Sequence, residues 1–240
     1  MEMWGSVERF FSASEHRKRI QEIIAWHEAE PIQRIEISGL ALDIELGVFN
    51  PLYGTFASRL REAAVTQVRP EFRCLDLGTG SGYLACALAR AGADVDACDV
   101  DTVSCDLAAR NAATNGVAVR VIRSDGLSAI PASSSYDLIV ANLPFCRAPL
   151  LEDFRQSLYH RCFSASRGLI TEITEGALAR LRPGGRFLFC YATSGWLEEL
   201  DRLWLRHPYG CSVYVQERST CEIRWILGIR DNPDHEETSS

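Results

Sequence analysis

From residue 72 to residue 206 the chain alternates short apolar runs with longer amphipathic ones, and few architectures satisfy that alternation. Strands are expected over 72–77, 93–99, 118–123, 136–141 and 186–192, with helices over 82–91, 102–115, about 168–181 and 195–206. A succession of this kind is met by a mostly parallel sheet covered by helices on both faces, that is, an α/β fold. Two further strand-like runs, 211–216 and 221–229, follow with only a polar link between them, so they should form an antiparallel hairpin at one edge of a seven-stranded sheet.

Ahead of this region the patterns are different. Apolar residues among charges over 6–28 predict one or two helices, alternation around Ser38-Gly39 over 35–49 predicts a hairpin, and three- and four-residue steps over 55–68 predict another helix. The organisation expected is therefore a helical and hairpin segment over 1–50, an α/β domain over 51–230 and a disordered polar tail over 231–240.

Length and composition set limits on function. With 240 residues, 47% of them hydrophobic, the chain has material for one substantial core. It contains no apolar run of about 18 residues and no basic-then-apolar start, which implies a cytoplasmic protein with no membrane partner. Its nine cysteines include no C-x-x-C pair and mostly sit in apolar segments, so they read as reduced core fillers, and no metal is expected. A net charge of −7 disfavours nucleic acid, while His16-Arg17-Lys18-Arg19 is read as a solvated helix face.

Chemistry enters at Cys74-Leu75-Asp76-Leu77-Gly78-Thr79-Gly80-Ser81-Gly82, a strand that runs into a glycine-rich turn before a helix. Such a turn lets backbone approach a ligand closely. Gly80 to Ala85 also fits the G-x-G-x-x-A form of a dinucleotide fingerprint, and Asp99 stands at the end of the next strand, where a carboxylate takes ribose hydroxyls. A nicotinamide-dependent oxidoreductase is thus one reading. Asp76 opposes it, because an acid directly before the loop repels a pyrophosphate and suits a ligand carrying an ammonium group.

The stretches LDLGTGSGYLACALA, VDACDVDTVSCDLAARNAATNG, SDGL, YDLIVANLPF and LRPGGRFLF, in that order, resemble a class I S-adenosylmethionine-dependent methyltransferase of the HemK-like or "methyltransferase small" group. The resemblance implies a Rossmann-like fold with S-adenosyl-L-methionine as cofactor. It also implies that Asp76, Gly78, Thr79, Gly80 and Gly82 embrace the methionine moiety, that Asp99 with Val100 binds ribose, and that Asp125 with Gly126 holds the adenine amino group.

Asn142-Leu143-Pro144-Phe145 resembles the N-P-P-[YF] turn of enzymes that methylate a nitrogen conjugated to a planar group, with Leu in place of the first Pro. A delocalised lone pair is a poor nucleophile; a side-chain amide oxygen that accepts an N–H orients it and stabilises the charge that grows on nitrogen. Asn142, Pro144 and Phe145 are accordingly the expected catalytic turn, with Asn142 also near the cofactor and Phe145 stacking on the acceptor. The stretch LDIELGVFNPLYGTFASRL resembles the segment preceding the cofactor domain in the HemK-like group, which implies that Tyr53 and Thr55, in Pro51-Leu52-Tyr53-Gly54-Thr55, lie over the cofactor's methionine end. Residues 146–167 read as a polar and aromatic insertion that selects the acceptor through Tyr159, His160, Arg147 or Arg155.

The sequence thus predicts N-methylation of an amide or amine on a small molecule or a polypeptide. RNA base methylation is the chief rival, and a non-catalytic subunit is disfavoured by the presence of all four site residues, Asp76, Asp99, Asp125 and Asn142. The roughly 50 residues ahead of the cofactor domain are fewer than the helical bundle of release-factor enzymes requires, which tilts the expectation away from that substrate.

Overall fold

A computed structural model describes residues 12–29, 33–53, 55–142, 144, 146–206, 211–218 and 223–230. The expected tail over 231–240 and the segment before residue 12 lie outside the described residues.

The chain runs α1 (Ala13–Ala29), β1 (Gln33–Ile37), β2 (Leu40–Ile44), α2 (Phe56–Val65), β3 (Arg73–Leu77), α3 (Tyr83–Arg90), β4 (Asp94–Asp99) and α4 (Thr102–Thr114). It continues through β5 (Arg120–Arg123), β6 (Tyr136–Ala141), β7 (Cys146–Arg147), a 3-10 turn (Ala148–Phe154), α5 (His160–Phe163), β8 (Ser164–Ala165) and α6 (Arg167–Leu178). The last elements are β9 (Leu181–Ala192), α7 (Leu197–Arg206), β10 (Cys211–Arg218) and β11 (Ile223–Arg230). No helix among the described residues is long and apolar enough to cross a membrane.

The main sheet has seven strands in the order β10-β11-β9-β6-β3-β4-β5. The pairs β9-β6, β6-β3, β3-β4 and β4-β5 are parallel, and the hairpin β10-β11 joins β9 antiparallel, as the sequence predicts. Both faces of the central parallel strands are covered, so residues 138–141 of β6 are all apolar and buried, while the charged residues of β3 and β4 include the buried Asp76 and Asp96. In β6, Leu138 and Val140 pack with α2, α3 and the β1-β2 hairpin, while Ile139 and Ala141 pack with α6 and α7 on the other face.

The first hairpin turns at Ser38 (φ 52°) and Gly39 (φ 75°), the left-handed pair that a two-residue connection requires. It docks on α4 through backbone pairing with amides: Asp43 N–H donates to Asn111 Oδ1 at 2.8 Å and Ala41 N–H to Asn115 Oδ1 at 3.0 Å. Its apolar residues Ile35, Ile37, Leu40, Leu42 and Ile44 join the core of the α/β layer.

Two expectations differ from the structure. The strand expected from residue 186 begins at Leu181, and the helix before it ends at Leu178. The register with β6 jumps from Tyr136↔Leu181 to Leu138↔Arg186, so residues 182–185 bulge out of the ladder. Gly185 permits this: a Cβ there would stand 2.8 Å from the Arg182 carbonyl oxygen and 2.9 Å from that of Tyr136. The 146–167 insertion, read as a polar loop, instead folds into the β7-β8 pair, the 3-10 turn and α5.

That insertion and α1 build a third core from Ile20, Ile23, Ile24, Cys146, Leu151 and Tyr159. Contacts fasten the two together: His16 Nε2 lies 3.2 Å from Cys146 Sγ, and Arg17 pairs with Asp153 at 3.2 Å. At the other end of α1, His27 Nδ1 donates to the Ile23 carbonyl at 2.8 Å while Nε2 accepts the Asn50 N–H at 2.9 Å, which requires the neutral Nδ1-H tautomer. Burial holds the His27 pKa below its usual value, against the opposing pull of the Ile23 carbonyl. Residues 47–53 are thereby tied to α1.

Candidate active site

A cavity of about 450 Å³ opens at the C-terminal ends of β3, β4 and β6, where open parallel sheets bind ligands. Its floor is made by the glycine loop. Gly78 and Thr79 N–H groups both donate to the Cys98 carbonyl at 2.9 Å, which ties the loop to the end of β4. Gly78 (φ 75°) and Gly80 (φ 53°) present bare backbone to the cavity in conformations that side chains rarely adopt.

Asp99 lies at the cavity wall with both carboxylate oxygens engaged: Gly80 N–H donates to Oδ2 at 2.9 Å and Asp101 N–H to Oδ1 at 3.0 Å. Each oxygen retains a lone-pair direction for a ligand hydroxyl. Burial raises the Asp99 pKa from the ordinary carboxylate value, partly offset by those backbone donors. Val100, Asp125 and Gly126 line the same wall, and the Asp125 carboxylate has no hydrogen-bond partner among the described residues.

Asp76 sits beneath the loop, 1% exposed and itself off the cavity lining. Its Oδ2 accepts from the Thr79 hydroxyl at 2.7 Å and from Ala85 N–H at 3.0 Å, whereas Oδ1 is buried with no partner among the described residues. Desolvation pushes its pKa up to about 7, against the two donors that lower it. A buried acid with one unmatched oxygen fits a cationic group bound above it. S-adenosylmethionine, the cofactor the resemblance implies, carries such an ammonium, hydroxyls for Asp99 and an exocyclic amine for Asp125, so the residues present fit it.

Linkage gives the sign for Asp76. A folded pKa near 7, above the ordinary 3.8, means that neutral Asp76 contributes stability that is full below 3.8 and lost as pH rises through about 7. A cationic ligand reverses the preference and favours the carboxylate. Binding of S-adenosylhomocysteine, which keeps the ammonium, is expected to release a proton at about pH 6 and to tighten as pH rises to about 8. Calorimetry in buffers of different ionisation enthalpy measures the release, and Asp76→Asn should abolish it.

Not every glycine of the loop faces the ligand. Gly82 (φ 79°) precedes α3 and points at α4, where a Cβ would meet Ala108 Cα at 3.0 Å, and it does not line the cavity. Its role is close helix–helix packing. Gly82→Ala combines left-handed strain with overpacking and is expected to cost about 1–3 kcal/mol in a denaturation experiment. Thr79 likewise contributes through Asp76 and not at the cavity surface.

Asn142 and Pro144 line the cavity, and the Asn142 side-chain amide has no partner among the described residues. Phe145, expected as the stacking residue, lies outside the described residues together with Leu143. Tyr53 and His160 line the cavity, whereas Thr55 does not. Tyr159 is a correction: at 1% exposure it belongs to the third core, with its hydroxyl donating to the His27 carbonyl at 3.5 Å, because the insertion folds back on α1. Arg155 pairs with Glu152, and Arg147 is also absent from the lining.

Sequence reasoning missed a whole wall. His16, Arg19, Ile20 and Ile23 of α1 reach the cavity, joined by Cys146, Cys162 and Phe163 of the insertion. The spacing i, i+3, i+4, i+7 was present in the sequence as a signal that these residues share one helix face. The basic patch is split by the same periodicity: His16 and Arg19 turn inward, while Arg17 and Lys18 are exposed.

Comparison with known proteins places these features in a family. Residues 55–200 match the profile of the Methyltransferase small domain. The chain is 36% identical over 171 residues to the release factor glutamine methyltransferase of Bordetella pertussis, covering 68% of this chain and 62% of that protein. It is also 36% identical over 121 residues to the ribosomal protein L11 methyltransferase of Desulfitobacterium hafniense, covering 50% of this chain and 37% of that one. Among solved structures, a T. thermophilus 16S rRNA N2 G1207 methyltransferase bound to AdoMet and guanosine superposes with a TM-score of 0.64 at 22% identity, over 84% of this chain and 50% of that chain. The chain therefore spans only part of the length of each of these relatives. Since the profile match covers more than half of the residues and the fold agrees with it, the chain belongs to the Methyltransferase small domain family, a class I S-adenosylmethionine-dependent methyltransferase group.

Proposed function

We propose that this chain transfers the methyl group of S-adenosylmethionine to an amide or amine nitrogen of a small molecule or a polypeptide. The observation that carries the reading is Asn142, whose uncommitted amide lines the same cavity as Asp99 and Asp125. When bound, the cofactor supplies a methyl group on an excellent leaving group. The chain's own residues then bind and align: Asp76 and Asp99 hold the ends of the methionine and ribose moieties, and the Asn142 carbonyl accepts an N–H of the acceptor, turning the nitrogen lone pair toward the methyl. The positive charge that N-methylation would place on nitrogen would be stabilised by the same oxygen until the N–H proton passes to water. Pro144 restricts the turn backbone ahead of it.

Relatives named for release-factor glutamine and for ribosomal protein L11 support a polypeptide acceptor. The rRNA enzyme with the same fold keeps an RNA base as the second reading, and the net charge of −7 does not decide against it. The nicotinamide alternative has no support from family or neighbours. Transfer of labelled methyl from S-adenosylmethionine into separated protein, RNA and small-metabolite fractions of a cell extract tests the reading, followed by identification of the methylated atom. Label on nitrogen in protein or metabolites supports the proposal; label confined to RNA replaces it with the second reading; methyl on oxygen or carbon overturns it.

A further inference from the structure

Arg19 is the half-buried cation of α1 that faces the cavity, and no carboxylate, carbonyl or ring among the described residues engages its guanidinium. Two arginines near it are engaged. Arg17, two residues earlier, is bound to Asp153, and Arg161, the other arginine of the cavity, faces Asp101 at 3.8 Å. Of the cavity acids, Asp99 accepts two backbone N–H groups, Asp101 caps α4 through the Ser104 N–H, and Asp125, whose carboxylate is uncommitted, forms no ion pair with Arg19 among the described residues. An arginine stays charged at any pH a protein survives, and enclosing it without a counterion is unfavourable. Its planar fork of donors matches a carboxylate or a phosphate in two parallel hydrogen bonds.

Position decides which molecule brings the anion. Arg19 lies one turn from His16 on the same face of α1, and His16 touches Cys146, four residues beyond Asn142. Arg19 thus belongs to the wall that α1 shares with the insertion following Asn142, the wall that the nitrogen-methylation reading gives to the acceptor. Asp76 and Asp99, the acids proposed to accept the ammonium and the ribose hydroxyls, are instead on β3 and β4. The cavity is thus acidic where the cofactor's amine and hydroxyls belong and basic along α1.

We infer that Arg19 forms an anion subsite for the methyl acceptor, which carries a carboxylate or phosphate close to its reacting nitrogen. This rests on the nitrogen-methylation reading above. The subsite explains why a patch that reads in sequence as a solvated face sends one of its cations inward. It also assigns α1 a part in substrate selection, through a residue outside the family's motif-bearing segments.

The test uses the full chain saturated with S-adenosylhomocysteine and two matched ligand pairs, anthranilate against aniline and adenosine 5′-monophosphate against adenosine, titrated by calorimetry. The anionic member of at least one pair should bind about ten-fold tighter or more, the discrimination expected of a charge-assisted bidentate contact. Arg19→Met should bring that ratio to about one, and Arg19→Lys should retain part of it, with S-adenosylhomocysteine affinity changed by less than about two-fold. Preference in the first pair assigns a carboxylate, and preference in the second a phosphate. No preference in either pair, or a preference that survives in Arg19→Met, overturns the subsite. So does a ten-fold loss of S-adenosylhomocysteine affinity in Arg19→Met, because the arginine would then serve the cofactor's own carboxylate. Methyl found on oxygen or carbon in the labelled-transfer experiment sinks the nitrogen reading alone and leaves this binding result standing.

Discussion

Asn142→Ala is expected to lower kcat by about 10²–10³-fold, the loss that follows removal of one preorganised partner of transition-state charge. S-adenosylhomocysteine affinity should stay within about two-fold of the parent, because the acids proposed to bind the cofactor, Asp76, Asp99 and Asp125, stand on other strand ends. The split arises because the Asn142 oxygen does little in the ground state, where the acceptor N–H can be satisfied by water, and most when the nitrogen carries positive charge. Asn142→Asp keeps an oxygen acceptor in place and should retain part of the rate. Steady-state kinetics on the acceptor found by labelled transfer, together with calorimetric titration of S-adenosylhomocysteine, separates the two quantities. An unchanged kcat in Asn142→Ala would remove Asn142 from the chemistry and return it to a turn residue.

Asp99→Ala is expected to do the reverse, weakening S-adenosylhomocysteine binding by about 10²-fold or more, from the loss of charge-assisted hydrogen bonds to two hydroxyls. Part of the loss is indirect. Asp99 also receives the Gly80 and Asp101 N–H groups, so its removal loosens the glycine loop and the start of α4 together. Asp99→Asn keeps the size and one acceptor oxygen and should fall between alanine and the parent. A deoxyribose analogue of the ligand distinguishes the direct part: it should lose affinity on the parent and lose nothing further on Asp99→Ala. Unchanged affinity in Asp99→Ala would place the ribose elsewhere.

The parallel sheet, its antiparallel edge and the order of the site motifs were legible because they are local. Each strand announces itself by an apolar run, each loop by glycine or an acid at a strand end, and Asp76, Asp99, Asp125 and Asn142 all fall at such ends. A parallel sheet sends all those ends to one edge, so motifs scattered along the chain converge without further information. The reading failed where a residue's role depends on what packs against it from far along the chain. Gly82 looks like a cofactor glycine until α4 is placed 3.0 Å from its Cβ position. Tyr159 looks like an acceptor-contacting aromatic until α1 covers it.

What the sequence by itself determined is the α/β class and the position of the glycine loop, for which local pattern and residue type suffice; the cofactor came from the resemblance of the ordered motifs to a known family, because the loop alone also fits a dinucleotide. What only the tertiary structure decided is the second wall of the cavity: the inward turn of His16 and Arg19, the folding of the 146–167 insertion onto α1, and the link from His27 to Asn50 that holds residues 47–53 beside the loop. Those contacts join residues more than a hundred positions apart in the case of His16 and Cys146, and their free energy comes from burying shared apolar surface that no local window contains.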